Sequence, residues 1–127
     1  MNQFWDRLGI SASLICILHC LMTPILLVAM PVVGAYLSQG WFHALIGALV
    51  FPVAIWAFLN GYREHRQHRV LAFGALGLTL VFLALVQHHD QVREFLFMSL
   101  GGSLLTLAHY LNLRCCRIAH KPTPTRP

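Results

Sequence analysis

Residues 8–37 read LGISASLICILHCLMTPILLVAMPVVGAYL, a run without a single Asp, Glu, Lys or Arg. A helix crosses the hydrocarbon core of a bilayer with about 20 apolar residues, so this run is long enough to span a membrane and decides the fold class. In its middle stand Cys16, His19 and Cys20. Positions i, i+3 and i+4 of an α-helix share one face, so both thiols and the imidazole project together. Ionisable groups are expensive inside lipid and mark a functional site by default.

Working outward, three further apolar runs follow at residues 41–59, 70–86 and 95–113. All nine Lys and Arg and all four Asp and Glu lie outside the four runs. With 57% hydrophobic and only 10% charged residues, the chain departs from soluble globular composition. The expected fold is all-α, a four-transmembrane-helix bundle formed by residues 1–127 as one domain, with a disordered Pro-rich tail at 120–127. The first run exceeds one crossing and carries Pro24 and Pro31, so it should kink, or end near Pro31 and continue along the interface. It also exceeds a secretory signal's apolar core and lacks a small-residue cleavage pattern, so it is read as retained. Gly47, Gly74, Gly77, Gly101 and Gly102 supply small surfaces for helix packing in lipid.

Arg7, Arg63, Arg66, Arg69, Arg114, Arg117, Lys121 and Arg126 fall on one side of such a bundle, and only Arg93 falls on the other. The positive-inside rule then places both termini in the cytoplasm. The net charge of +5 is topological, and no nucleic-acid partner is needed to explain it. The partners expected are the lipid bilayer and a metal ion.

Several groups are candidates for metal chemistry. Thiols one helical turn apart, with Cβ atoms about 5–6 Å from each other, can grip one soft cation, and Cys16 and Cys20 are so placed. His19 offers a third ligand, and His109 in the fourth run could complete a two-Cys, two-His set. In the cytoplasmic loop His65 and His68 stand three apart among arginines, where positive charge opposes a cation site. His88 and His89 in the outer loop could capture cations. Cys115 and Cys116 follow the last run and suit hand-off on the cytoplasmic side, where reducing conditions keep thiols free.

Asp6-x-x-Gly9-x-Ser11, Cys16-x-x-His19-Cys20-x-x-x-Pro24, the Leu-rich run to Pro31, Gly61-Tyr62-Arg63-x-His65 and His109-Tyr-Leu-Asn-Leu-Arg-Cys together resemble the MerC family of small bacterial inner-membrane proteins of mercury-resistance operons. The resemblance covers nearly the whole chain. It implies four transmembrane helices in the bacterial inner membrane, and movement of Hg(II) into the cytoplasm by a first-helix cysteine pair that maps onto Cys16 and Cys20. The mercury-operon members carry a tighter pair without an intervening histidine. His19 therefore keeps zinc or another borderline divalent ion open as cargo.

The expected function is uptake of a soft or borderline divalent metal by thiolate and imidazole ligand exchange, with delivery to a cytoplasmic acceptor or reductase. No enzyme activity and no tightly bound cofactor are expected, the mercury or zinc ion being cargo. Two rival readings are a thiol-redox bundle, which would want a C-x-x-C pair near an oxidising face, and a haem-binding bundle with His19 and His109 as axial ligands.

Overall fold

The structure, a computed structural model, describes residues 3–87 and 90–119. The expected tail at 120–127 and the outer-loop histidines His88 and His89 lie outside the described residues. Within them the chain is helical throughout: α1 (Gln3–Ala29), α2 (Pro31–Leu37), α3 (Gly40–His65), α4 (His68–Val86) and α5 (Gln91–Ala119). Four of these, α1, α3, α4 and α5, are long and apolar enough to cross a membrane.

The first apolar run is broken where its second proline predicts. Pro24 is carried inside α1, but Met30 leaves helical geometry at φ −140°, and Pro31 opens α2 at a position where its missing N–H costs nothing. The short helix folds back on α1. Gly34 makes that possible, because a Cβ there would lie 2.5 Å from the backbone nitrogen of Leu27. At the far end of α3 the chain reverses through Arg66, whose left-handed φ of 54° lets its N–H bond the carbonyl of Tyr62 at 2.9 Å. α5 begins at an Asp90 cap, whose carboxylate accepts the N–H groups of Val92 and Arg93 at 3.2 and 3.3 Å.

The packing inverts the logic of a water-soluble helix. On α1 the buried positions are Asp6, Gly9, Ser13, Cys16 and Cys20, alternately three and four apart, so they form one straight seam. Large apolar residues such as Leu14, Ile15, Leu18 and Ile25 face outward instead. In water this arrangement would be unstable. In lipid the outward face is solvated by acyl chains, and helix association depends on small and polar residues that let backbones approach. The seam packs antiparallel on α5, with Gly9 against His109, and the Ser13 carbonyl 3.6 Å from where a Gly102 Cβ would be. The α4–α5 contact is equally close, since a Cβ on Gly101 would stand 3.0 Å from the carbonyl oxygen of Gly77. The glycines expected to serve packing do so.

Four hydroxyl groups within the spans are satisfied inside their own helices. Thr23, Thr79, Ser103 and Thr106 each donate to the carbonyl four residues back, at 2.7, 2.8, 2.7 and 2.9 Å. That satisfies donors in a medium without water.

Candidate metal-handling site

Cys16 and Cys20 sit in the α1–α5 seam, 4% and 5% exposed, with their thiols hydrogen-bonded to each other. Both are free of disulfides. Two sulfurs bound in line to one soft ion, each at a bond length near 2.3 Å, would stand about 4.6 Å apart, within reach of a thiol pair already in contact.

A cavity of about 370 Å³ opens at the end of the bundle opposite the termini and has Cys20 in its wall. Thr23 of α1, Ser38 after α2, and Glu94 and Met98 of α5 complete its polar and sulfur-bearing lining. The Glu94 carboxylate is close enough to act electrostatically on Cys20. The cavity is thus a route from outside the bundle to the thiol pair.

Below the cysteines, towards the termini, two polar atoms have no hydrogen-bond partner: Ser13 Oγ and His109 Nε2. Both residues are buried. Beyond them lies a network that ties three helices together. Asn112 of α5 donates from Nδ2 to both carboxylate oxygens of Asp6 at 2.9 Å, and His109 Nδ1 donates to Asp6 Oδ1 at 3.0 Å. His65 of α3 accepts the N–H of Gln67 on Nδ1 at 3.0 Å, which leaves its proton on Nε2 to donate to Asn112 Oδ1 at 2.9 Å. Asp6, His109 and Asn112 are all 0% exposed. A buried carboxylate in hydrocarbon is tolerated only with such partners.

The close approach of this network depends on two glycines. A Cβ on Gly9 would collide with the His109 ring, and one on Gly61 with the Asn112 carboxamide. Motif residues from three distant parts of the chain therefore converge on one cluster at the terminal end.

The other candidate ligands are dispersed. His19 shares the helix face of the cysteines by spacing, yet its ring stacks on Phe42 of α3 at 4.2 Å between centroids. His109 lies level with Gly9, seven residues below Cys16 and so about 10 Å down the helix axis. His19 and His109 are separated along α1 by roughly 15 Å, whereas axial imidazoles on one iron stand about 4 Å apart at metal–nitrogen distances near 2 Å. His65 has both ring nitrogens in hydrogen bonds, and His68 lies beyond the reversal with Nδ1 3.3 Å from the Tyr62 hydroxyl. Cys115 is half-buried, while Cys116 is buried and bonds the Glu64 side chain. A buried thiol is less reactive than an exposed one, so the flanking arginines do not by themselves make Cys116 a docking group. Among the described residues, no three His, Cys, Asp or Glu side chains are arranged to hold a metal ion. The geometry brings together two thiols, not a tetrahedral set.

Asp6, Ser13, Asn112 and Met98 are the site residues that spacing alone does not single out as ligands. The signal for the first two was present: Asp6, Gly9 and Ser13 continue the three-and-four spacing of Cys16 and Cys20 down the helix.

A family model described as MerC mercury resistance protein matches residues 6–114. No curated protein and no solved structure matches the chain.

Proposed function

The chain belongs to the MerC mercury resistance protein family, and from that premise we propose that this multi-pass membrane protein carries Hg(II) inward across the bacterial inner membrane by thiolate exchange. The carrying observation is the Cys16–Cys20 pair, in mutual contact within the helix seam, with a cavity at the end opposite the termini that reaches Cys20. A two-coordinate thiolate site suits a soft ion that accepts linear ligation, and it disfavours zinc, which in structural sites takes four ligands.

The proposed orientation puts the termini in the cytoplasm. Its support is the gathering of Arg7, Arg63, Arg66, Arg69, Arg114 and Arg117 at the end where α1 begins, α3 and α4 meet and α5 finishes. The cavity then faces the periplasm. An incoming ion meets Cys20 first and Cys16 next, since the two differ by about 6 Å in depth.

Onward passage runs along the seam past Ser13 and His109, whose unpartnered atoms line it. The Asp6–Asn112–His65 network closes that route at the cytoplasmic end. Release therefore requires α1 and α5 to part there, with the half-buried Cys115 near the exit to pass the ion to a cytoplasmic thiol acceptor. No further cofactor enters the scheme.

The test is uptake of mercuric ion by proteoliposomes holding the full chain and a trapped thiol chelator. Uptake faster than in protein-free liposomes is expected, with zinc carried poorly. Equal rates with and without protein would overturn the proposal.

A further inference from the structure

The cavity holds a sulfur ligand that family membership does not assign. Met98 of α5 is 1% exposed to solvent and is among the most deeply buried side chains of the bundle, yet it lines the same cavity as Cys20 and Glu94. Glu94 and Met98 are four apart on one helix, so they share a face, with the thioether one turn deeper than the carboxylate. Along α5 the cavity therefore presents oxygen and then thioether from the mouth inward, with the Cys20 thiol of α1 in the same lining.

We infer that Met98, together with Cys20, forms an outer landing site for soft cations, and that this site selects the cargo before the cysteine pair receives it. This rests on the reading of Cys16 and Cys20 as the transport ligands. The chemistry of the three donors differs in a way that sorts ions. A carboxylate attracts any cation, including hydrated magnesium, calcium and zinc. A thioether is neutral at every pH, bears no proton to displace, and competes with water only for soft ions such as Hg(II), Ag(I) or Cu(I). An ion that cannot bond the Met98 sulfur gains nothing by leaving the Glu94 carboxylate.

A soft ion exchanges an oxygen ligand for the thioether, then takes the Cys20 sulfur as that thiol gives its proton to solvent through the open mouth. Leucine in place of Met98 would fill the same space at little cost to packing, so the proposal separates the sulfur atom from the side chain's bulk.

Two measurements test it. The first uses the full chain with Cys16, Cys115 and Cys116 changed to serine and Cys20 kept, titrated with Ag(I) in detergent. Silver binding is expected, weakened about tenfold by Met98→Leu and unchanged by Met22→Leu, a methionine on the exposed face of α1. Absence of silver binding, or binding indifferent to Met98→Leu, overturns the inference. The second uses otherwise wild-type chain in proteoliposomes, so that it does not depend on the triple-serine chain folding. Met98→Leu should lower the initial rate of Hg(II) uptake about tenfold, the lower end for losing one supporting group at a metal site, while the mercury bound per chain at equilibrium stays unchanged. A rate equal to wild type overturns the inference. Failure of the wild-type chain to bind mercury through its cysteines would instead sink the transport reading, and the silver titration would still report on Met98.

Discussion

Changing either Cys16 or Cys20 to serine is expected to abolish Hg(II) uptake and to leave the helical bundle inserted and folded. Serine matches cysteine closely in size, and both positions are buried among small groups at a helix seam, so the packing survives. The chemistry does not. A hydroxyl is a hard donor and stays protonated near neutral pH, whereas a thiol releases its proton to a soft metal. With one thiol left, the ion has no second sulfur to complete two-coordinate ligation. Affinity should fall by at least about 100-fold, the upper range seen for losing a mere supporting group at a metal site, and the uptake rate should reach that of protein-free liposomes. The check is initial-rate uptake in proteoliposomes alongside circular dichroism of the same samples. Uptake near wild type in both single variants would remove the cysteine pair from the mechanism.

The second large effect belongs to the terminal end. Asp6→Ala removes the acceptor of three hydrogen bonds, from both contacts of Asn112 Nδ2 and from His109 Nδ1, which strands the His109 donor and leaves Asn112 Nδ2 with only the Ala57 carbonyl at 3.3 Å. Stranding buried donors of this kind costs about 3 kcal/mol, although polar contacts within membrane bundles average less. The bundle should therefore lose thermal stability in detergent more than with any exposed leucine change, and Gly61→Ala should do the same by driving a Cβ into Asn112. Asn112→Leu should be comparable, since it strands His65 as well. Because Asp6 and Asn112 act on each other, the double variant Asp6→Ala/Asn112→Leu should cost clearly less than the two single changes added together. A loss below about 0.5 kcal/mol for Asp6→Ala, the usual size of a surface change, would show that the network contributes nothing to the fold.

Much of this architecture can be read directly from the chain. The four spanning helices follow from where the charges are absent, and the break at Met30 follows from Pro31, because hydrophobic length and proline act locally. Cys16 and Cys20 are likewise legible as a facing pair because helix periodicity alone brings them together. The roles of the histidines are not. His19 shares that helix face by spacing, but its ring stacks on Phe42 from α3, and no local rule tells whether a side chain turns along its own helix or across to a neighbour. His109 and His65 resemble ligands in sequence yet serve a hydrogen-bond network, since their partners Asp6 and Asn112 are about a hundred residues apart in the case of Asp6 and come from different helices. Met98 illustrates the opposite case. In an apolar run it reads as filler, and only the shape of the cavity places it beside Cys20.

The central claim is that one mercuric ion is held by the Cys16 and Cys20 sulfurs inside the bundle. Mercury X-ray absorption on the purified full chain, loaded with one equivalent of Hg(II), measures those neighbours directly. The account predicts two sulfur neighbours of mercury in the Cys115→Ser/Cys116→Ser chain, a signal lost when Cys16 and Cys20 are changed to serine as well. Mercury surrounded by nitrogen and oxygen in the Cys115→Ser/Cys116→Ser chain, or an unchanged sulfur shell once Cys16 and Cys20 are serine too, would contradict it.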